Sequence, residues 1–302
     1  MLPFARVSII GMGLIGSSIA RAVRHHMPTV RLTAHDSDPA VCARVEELGL
    51  VDDVTDTPGA AVIDADLVML CVPVGVIGAV AESLAADLPA DAVVSDVGGA
   101  KESVADALRA ALPNATIVPG HPVAGTEHSG PDAGFATLFH GRWVILTPGE
   151  DVPEAPTARV RAFWEALGSN VEVMTARHHD LVLAVTSHVP HLIAYSIVGT
   201  ASDLEGVTRG EVIKYSAGGF RDFTRIAASD PTMWRDVFLN NREAVLEILQ
   251  RLTEDVTMLQ RAIRWGDGDV LQNLFTRTRA IRRSIIEQGQ DDERPDFGRT
   301  HK

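Results

Sequence analysis

Short apolar runs alternate with amphipathic, helix-periodic segments over roughly the first 175 residues. The strand candidates are residues 6–11, 30–36, 66–73, 92–98, 115–120, 142–148 and 171–175. The first of these runs are apolar at nearly every position, as in parallel strands that helices cover on both faces. Strands that alternate with helices in this way predict a doubly wound α/β fold.

The pattern changes after about Ala176, beyond which we find no convincing strand. Residues 178–201, 230–266 and 269–288 all repeat their apolar positions with the period of a helix. We therefore predict an α/β domain over residues 1–175 and an all-helical domain over residues 176–290. The polar residues 291–302 are predicted to form a flexible tail.

Composition and charge narrow the function classes. The 302 residues are 46% hydrophobic and 22% charged, which is a globular composition, and the net charge of -13 argues against binding to nucleic acid or to an anionic membrane. No apolar run approaches the ~18 residues of a membrane span, and the N-terminus lacks the layout of a signal peptide. Cys42 and Cys71 lie in helix-like and strand-like runs, where reduced thiols are expected, so we expect a cytoplasmic protein.

The segment Gly11–Gly16 reads GMGLIG and fits the G-x-G-x-x-G pattern between the first strand and a helix. Gly11 permits a tight turn, Gly13 lets the backbone approach a pyrophosphate, and Gly16 lets the helix pack closely on the strand. The helix N-terminus then offers N–H groups to the phosphates. This context predicts a Rossmann-type site, to which Leu14 and Ile15 also belong. The alternative is a glycine turn that binds no dinucleotide.

Asp36 follows Gly16 by twenty positions, at the end of the second strand. A carboxylate at this place accepts hydrogen bonds from the adenosine ribose. No arginine follows to receive a 2′-phosphate, so the sequence favours NAD over NADP. Val72 and Pro73, at the end of the strand run 66–73, complete the predicted cofactor-binding residues.

A second group of polar residues lies in the helical part. Asp180, Ala184, His188 and His191 share one helix face, and Pro190 is expected to kink or open the helix beside them. This arrangement suggests a site. Two alternatives stay open: partly exposed histidines without a function, or a metal site formed by His188 and His191, although we expect no metal.

Two arginines one turn apart, Arg221 and Arg225, follow a double glycine, and Asp222 stands between them. Their apolar neighbours favour an anion-binding site over a pair of surface charges. Histidine is also prominent in the loop VPGHPVAGTEHSG, residues 118–130, where His121 stands between a glycine and a proline. A loop this restricted is expected to hold a side chain in place.

Six segments resemble the prephenate/arogenate (cyclohexadienyl) dehydrogenases of tyrosine biosynthesis. They are GMGLIGSS, DVGGAK, GHPVAGTEHSG, RWVILTP, HHDLVLAVTSHVPH and GGFRDFTRIAASDPTMW, in this order and at this spacing, and the resemblance spans about residues 5–285. It implies a Rossmann domain with a helical dimerisation domain. It also implies an NAD-dependent oxidative decarboxylation of prephenate, arogenate or both.

The resemblance also implies roles for individual residues. His121 would partner the 4-hydroxyl of the substrate as the catalytic base, and Arg225 and His191 would hold a carboxylate or the side chain of the substrate. His188, Asp180 and Asp222 would lie nearby in the substrate site. Where many members of the family have a serine, this chain has Gly99, so that contact to the catalytic region is absent or supplied otherwise.

Two rival functions remain at this point. One is another reductase of the same architecture, such as a β-hydroxyacid dehydrogenase, which would need a lysine base; Lys214 is the internal lysine of the helical part. The other is a non-catalytic NAD-binding scaffold. The long apolar-striped helices favour a homodimer. The choice between prephenate and arogenate is left open by the sequence.

Overall fold

The computed structural model describes residues 2–126, 128–203 and 218–285. The predicted tail at residues 291–302 and the rival base Lys214 lie outside the described residues. By its contacts the chain divides into two compact units, Met1–Leu246 and Glu247–Lys302. All of the residues discussed below as a candidate active site belong to the first unit.

A parallel sheet of six strands forms the centre of the first unit. Its strand order is β3-β2-β1-β4-β5-β6. The order reverses between β1 and β4, which is where doubly wound sheets bind ligands. The strands are β1 (Arg6–Ile10), β2 (Arg31–His35), β3 (Asp53–Val54), β4 (Leu67–Leu70), β5 (Val93–Asp96) and β6 (Thr116–Ile117). The short strand β3 was not predicted; the other five were.

Helices cover both faces of this sheet, as the apolar strand runs predicted. Ile9 points into one apolar cluster with Ile19 and Trp164, whereas its neighbour Ile10 points into a second cluster with Leu108. Because successive residues of a strand face opposite sides, a strand buried on both sides has to be apolar throughout. The helices are α1 (Leu14–His26), α2 (Pro39–Glu47), α3 (Pro58–Val62), α4 (Ile77–Leu84), α5 (Glu102–Ala111) and α6 (Glu154–Ala166).

The run predicted as one strand at residues 115–120 is two strands in two different sheets. The main-sheet strand β6 ends at Ile117, and β7 (Gly120–Pro122) begins a three-stranded sheet with β8 (Trp143–Leu146) and β9 (Asn170–Val173). Pro119 separates them, because a proline has no N–H to donate to a ladder. His121 therefore lies in β7, opposite Ile145, and belongs to the second sheet, whereas we had predicted it to lie in a loop.

Helices alone follow Thr175 in the described part of the chain, as predicted. They are α7 (Ala176–Leu183), α8 (Val189–Asp203), α9 (Gly218–Thr224), α10 (Pro231–Asn240), α11 (Arg242–Trp265) and α12 (Gly268–Ile285). A π-helical turn, Ala184–His188, joins α7 to α8. Pro190 accounts for it, since proline removes one helical N–H and its ring displaces the preceding turn. The expected opening of the helix is confirmed.

The continuous helical segment Ala176–Asp203 is long and apolar enough to cross a membrane, with a mean hydropathy of 1.6. The expectation that the chain has no such segment is therefore not met on length and composition. Its buried polar residues argue for a different role. His179, Asp180 and His188 are each at most 2% exposed and form hydrogen bonds within the first unit, so the first half of this segment packs into that unit.

Candidate active site

The glycine loop after β1 has the geometry that a dinucleotide requires. Gly11 has φ 96°, and a side chain there would meet the carbonyl of Cys71 at 2.6 Å. A Cβ at Gly16 would lie 2.0 Å from the Gly11 carbonyl, so only glycine lets α1 pack this closely. By contrast, nothing lies within 4 Å of a Cβ at Gly13, and no side chain caps the helix there. This open helix N-terminus fits a pyrophosphate group.

Asp36 is bonded to the same loop. Its Oδ2 accepts from the Met12 N–H at 2.7 Å, and its Oδ1 accepts from the Asp38 N–H at 3.0 Å. A carboxylate has about four lone-pair positions, so both oxygens can still accept from ribose hydroxyls. Of the other predicted cofactor residues, Leu14 and Ile15 lie half-buried in the first turn of α1, and Val72 and Pro73 follow β4.

A buried ion pair fixes the backbone next to His121. Lys101 Nζ donates to Asp96 Oδ2 and also to the Gly120 carbonyl, at 2.7 Å. Asp96 Oδ1 in turn accepts from the Gly120 N–H at 3.2 Å. Both backbone polar groups of Gly120 are therefore held by the pair, whose side chains are fully buried. The Asp96–Lys101 pair therefore fixes the position of β7, and with it that of His121.

His121 heads a chain of three side chains. Its Nδ1 lies 2.8 Å from His179 Nε2, and His179 Nδ1 lies 2.8 Å from Asp180 Oδ1. His121 is half-buried, whereas His179 is fully buried. Burial is the main cause that holds the pKa of His121 well below 6.5, and the neighbouring His179 and Lys101 lower it further. Burial also lowers the pKa of His179, to about 2. Both rings are therefore neutral at physiological pH.

Asp180, which was predicted to lie near the substrate, is placed behind His179. Oδ1 accepts from the Lys101 N–H at 2.8 Å and Oδ2 from the Glu102 N–H at 2.9 Å, at the start of α5. The residue is 2% exposed. A carboxylate at a helix N-terminus is stabilised by the helix dipole. Asp180 thus anchors His179 and does not itself reach toward a ligand.

The ring of His188 is held by other parts of the protein. Its Nδ1 accepts from Asn241 Nδ2 at 3.0 Å, and a backbone hydrogen bond to Gly99 engages the ring as well. Burial lowers its pKa to about 4. Protein groups therefore engage the ring of His188, and its role in substrate binding stays a prediction. The same bonds argue against the alternative in which it ligates a metal with His191.

His191 remains available to a ligand. Its Nδ1–H donates to the Ser187 carbonyl at 2.8 Å, which leaves Nε2 as the unprotonated nitrogen of a neutral ring. Burial lowers its pKa, and the charge of Arg225 lowers it further. The ring stacks on Trp234 with centroids 3.7 Å apart. The buried indole N–H of Trp234 has no hydrogen-bond partner among the described residues.

The two arginines predicted to bind an anion, Arg221 and Arg225, are exposed. Arg221 and Asp222 are exposed residues of α9, and Arg225 begins the 3-10 turn that follows. Arg225 is close enough to His191 for its charge to lower the pKa of His191. Arg221 has no such effect on a described site residue. Asp230 caps α10 by accepting from the Met233 N–H at 2.7 Å, and this cap fixes the turn on which Trp234 is presented.

Gly99 lies against the reactive edge of His121. A Cβ built at Gly99 would be 3.9 Å from His121 Nε2 and 3.6 Å from a Val237 methyl group. These are ordinary contact distances, so a Cβ fits at this position. In this chain no side chain occupies it, and the serine contact of the family is absent.

Several residues of this site were not predicted from the sequence. They are Asp96, Lys101, His179, Trp234 and Asn241. Lys101 and Asp96 stand in DVGGAK, but a lysine and an aspartate in sequence do not show that both will be buried. His178 and His179 are adjacent, and periodicity did not indicate which one enters the core. Trp234 is the last residue of the motif GGFRDFTRIAASDPTMW, but the sequence predicted no role for it.

Comparison with known proteins agrees with this geometry. Residues 19–173 match the family description "Prephenate dehydrogenase, nucleotide-binding domain", and residues 175–277 match "Prephenate dehydrogenase, dimerization domain". The chain is 45% identical to the cyclohexadienyl dehydrogenase of Zymomonas mobilis, over 94% of this chain and 97% of that protein. It is 31% identical to the prephenate dehydrogenase of Bacillus subtilis, over 89% of this chain and 73% of that protein.

Solved structures show the same similarity. The structure of prephenate dehydrogenase from Aquifex aeolicus, in complex with hydroxyphenyl propionate and NAD+, superimposes with a TM-score of 0.86 at 33% identity. The superposition covers 94% of this chain and 98% of that one. Synechocystis arogenate dehydrogenase gives a TM-score of 0.78 at 26% identity over 93% and 99% of the two chains. The predicted Rossmann-type domain followed by a helical domain is confirmed, and the chain belongs to the prephenate dehydrogenase family of oxidoreductases.

Proposed function

We propose that this protein catalyses the NAD-dependent oxidative decarboxylation of prephenate, arogenate or both, with His121 as the general base. The observation that carries the residue-level proposal is the fixed ring of His121. Its Nδ1 is bonded to His179, so Nε2 is the nitrogen left for a substrate. That nitrogen lies beside Gly99, close to the carboxyl end of β5, where this fold binds ligands.

The reaction requires a base next to the 4-hydroxyl oxygen of the substrate. Loss of hydride from the ring carbon that carries the 4-hydroxyl creates positive character there, and this is relieved when the hydroxyl proton moves to His121 Nε2. The bond to the ring carboxylate then breaks, CO₂ leaves, and its electron pair makes the ring aromatic. The oxygen takes the proton back from Nε2. His121 ends neutral, so the protein is unchanged after one turnover.

NAD supplies the hydride acceptor. Gly11, Gly13 and Gly16 shape the loop for its pyrophosphate, and Asp36 is the acceptor for its ribose hydroxyls. The open helix N-terminus at Gly13 is the structural observation that fits this group. The protein's remaining task is to orient the substrate against the cofactor, since orientation supplies much of the rate.

Cationic and donor groups for the substrate lie together on the helical side. Arg225 can bind a carboxylate through two parallel hydrogen bonds. The indole N–H of Trp234 offers an unused donor, whereas the unprotonated Nε2 of His191 can accept from a hydroxyl or amino group of the substrate. A carboxylate that binds here satisfies a buried polar atom, which is otherwise costly to leave unpaired. Asp222, exposed on α9, is proposed to orient the arginines and not to touch the substrate.

The direct test is spectrophotometric. Purified protein is mixed with NAD and either prephenate or arogenate, and NADH absorbance is followed. Formation of NADH with at least one of the two supports the proposal, and the ratio of their kcat/KM values gives the preference. Binding of NAD without NADH formation from either substrate would instead indicate the non-catalytic scaffold.

Cofactor preference is expected to depend on Asp36. In the wild type its carboxylate accepts from the ribose hydroxyls of NAD and repels the 2′-phosphate of NADP, so kcat/KM is higher with NAD. Replacing Asp36 by arginine removes charged hydrogen bonds, each worth about 1.5–3 kcal/mol, and is expected to lower kcat/KM for NAD by roughly 10- to 100-fold. Steady-state kinetics with both cofactors check this. Equal wild-type efficiency with NADP would show that Asp36 does not select the cofactor.

We further propose that the protein is a homodimer formed by the helical part. The matched family description names a dimerization domain, and helices there expose large apolar side chains. Ile263 is 68% exposed, Trp265 76% and Phe275 56%. Exposed apolar surface of this kind is characteristic of an interface.

Light scattering at micromolar concentration is expected to give twice the 32.4-kDa mass of one chain. Trp265→Glu should shift the mass toward one chain, because it places a charge on a surface that the partner would cover. Ile63→Glu is the matched control, since Ile63 is 57% exposed on the dinucleotide-binding part and should leave the mass unchanged. A wild type with the mass of one chain would refute the dimer.

A further inference from the structure

We infer that His179 is a positioning residue that fixes the tautomer of His121, so that the lone pair of Nε2 points to the substrate. The inference rests on the proposed role of His121 as the base. Nothing in the sequence singled out His179, and its neighbour His178 is equally polar but exposed. The argument starts from Asp180 and proceeds outward along the hydrogen bonds.

Asp180 determines the protonation of His179. Burial raises the pKa of Asp180, but the backbone N–H groups of Lys101 and Glu102 donate to its two oxygens and the charge of Lys101 lies nearby. These contacts favour the ionised carboxylate, which only accepts. The group 2.8 Å from Oδ1 must therefore be a donor, so His179 Nδ1 carries a hydrogen. A neutral imidazole has one donor and one acceptor nitrogen. His179 Nε2 is consequently an acceptor.

The next bond fixes His121 in the same way. His179 Nε2 can only accept, and it lies 2.8 Å from His121 Nδ1, so His121 Nδ1 carries the hydrogen. His121 Nε2 is then unprotonated, which is the state that a base needs. Without His179, the ring could carry its hydrogen on Nε2 and would be unable to take the substrate proton there.

Geometry makes this arrangement rigid. His179 is fully buried, and the two rings meet edge to face, with centroids 5.0 Å apart. Asp180 is held by the start of α5, and the neighbouring Gly120 by the ion pair of Asp96 and Lys101. Neither end of the bond between the two histidines can easily move away. In serine proteases an aspartate holds a catalytic histidine in the required tautomer, and its amide variant loses about 10⁴-fold in kcat.

Two replacements of His179 distinguish a role in orienting His121 from a role in packing alone. Glutamine places an amide oxygen near the position of Nε2, where it can accept from His121 Nδ1–H. Asparagine is shorter and keeps only the position of Nδ1, so it can still contact Asp180 but leaves His121 Nδ1 without an acceptor. His178→Asn is the control for a neighbouring exposed histidine.

We expect His179→Asn to lower kcat by roughly 10²-fold, the lower end of what general-base catalysis contributes. KM and NAD affinity should change little, while His179→Gln should retain most of the wild-type kcat and His178→Asn all of it. Equal losses in the glutamine and asparagine variants, or a wild-type kcat in both, would overturn the inference. Circular dichroism and the thermal midpoint check that each variant is folded.

A second measurement does not depend on activity. Nitrogen-15 NMR of histidine-labelled protein reports which ring nitrogen carries the hydrogen, and the His121→Asn variant identifies the His121 signals. We expect hydrogen on Nδ1 of His121 in the wild type and in His179→Gln, and a shift toward Nε2 in His179→Asn. Hydrogen on Nε2 in the wild type would overturn the inference. If the protein oxidised neither substrate, the proposed function would fail while this tautomer result still stood.

Discussion

Replacement of His121 by asparagine is expected to lower kcat by about 10²–10⁴-fold, the usual contribution of a general base. Asparagine retains a hydrogen-bonding side chain of similar size but cannot take a proton. Gly120, which the Asp96–Lys101 pair holds through its backbone, is unaffected by the change. The loop should therefore keep its conformation, and KM and NAD affinity should change much less than kcat.

The alternative is that His121 only shapes the loop. In that case the asparagine variant would weaken NAD and substrate binding together, which a titration of NAD by fluorescence would reveal. A variant with wild-type kcat would exclude His121 as the base. His191 would then be the next candidate, because His188 is already engaged by Asn241 and by the Gly99 backbone.

Replacement of Arg225 by lysine is expected to raise the KM for the substrate by roughly 10- to 100-fold, which corresponds to one lost charged hydrogen bond of about 1.5–3 kcal/mol. Lysine keeps the charge but cannot form two parallel hydrogen bonds to a carboxylate. Arg225 lies close enough to His191 to lower its pKa, whereas Arg221 is not among the groups that shift the pKa of His191 in the described part of the chain. Steady-state kinetics should also show that the KM for NAD is unchanged.

Arg221→Lys is the matched control, one helical turn away and of the same chemistry. It should raise the substrate KM much less than Arg225→Lys does. The opposite order would mean that Arg221 binds the carboxylate and that the two assignments must be exchanged.

The sheet and the glycine loop were predictable because local rules determine them. A strand buried on both faces must be apolar throughout, and Gly11 and Gly16 each occupy a position that excludes a side chain. Asp36 was predictable for the same reason, since its distance from the glycine motif is set by one strand and one helix.

The supporting residues of the site were less predictable because they depend on tertiary contacts. Asp180 and His188 share a helix face with His191, and on spacing alone all three were equally good candidates for substrate contact. In the structure the three residues have different partners. Asp180 is bonded to the start of α5, His188 is bonded to Asn241, and His191 stacks on Trp234. Periodicity gives the face of a helix but not the groups that pack against it.

Pro119 shows a related limit. Hydrophobicity continues from Thr116 to Val118, so one strand was expected, yet the missing N–H of the proline ends the main-sheet pairing. His121 consequently lies in a second sheet. Its environment, and with it the lowered pKa, could not be read from the run of apolar residues.

The central claim is that neutral His121 accepts the substrate proton, and the pH dependence of kcat/KM tests it most directly. This profile reports ionisations of the free enzyme. The base is active when unprotonated, so activity should be lost as pH falls through the pKa of His121. That pKa lies well below 6.5 because of burial and the nearby His179, Lys101 and His188. We therefore expect the wild type to keep its kcat/KM down through pH 6.5.

Below that pH, kcat/KM of the wild type should fall with the slope of a single proton. The His121→Asn variant should lack this fall over the range in which circular dichroism shows both proteins to be folded. A wild-type profile that breaks at or above pH 6.5, or an asparagine variant that keeps both the wild-type rate and the same acidic fall, would contradict the account.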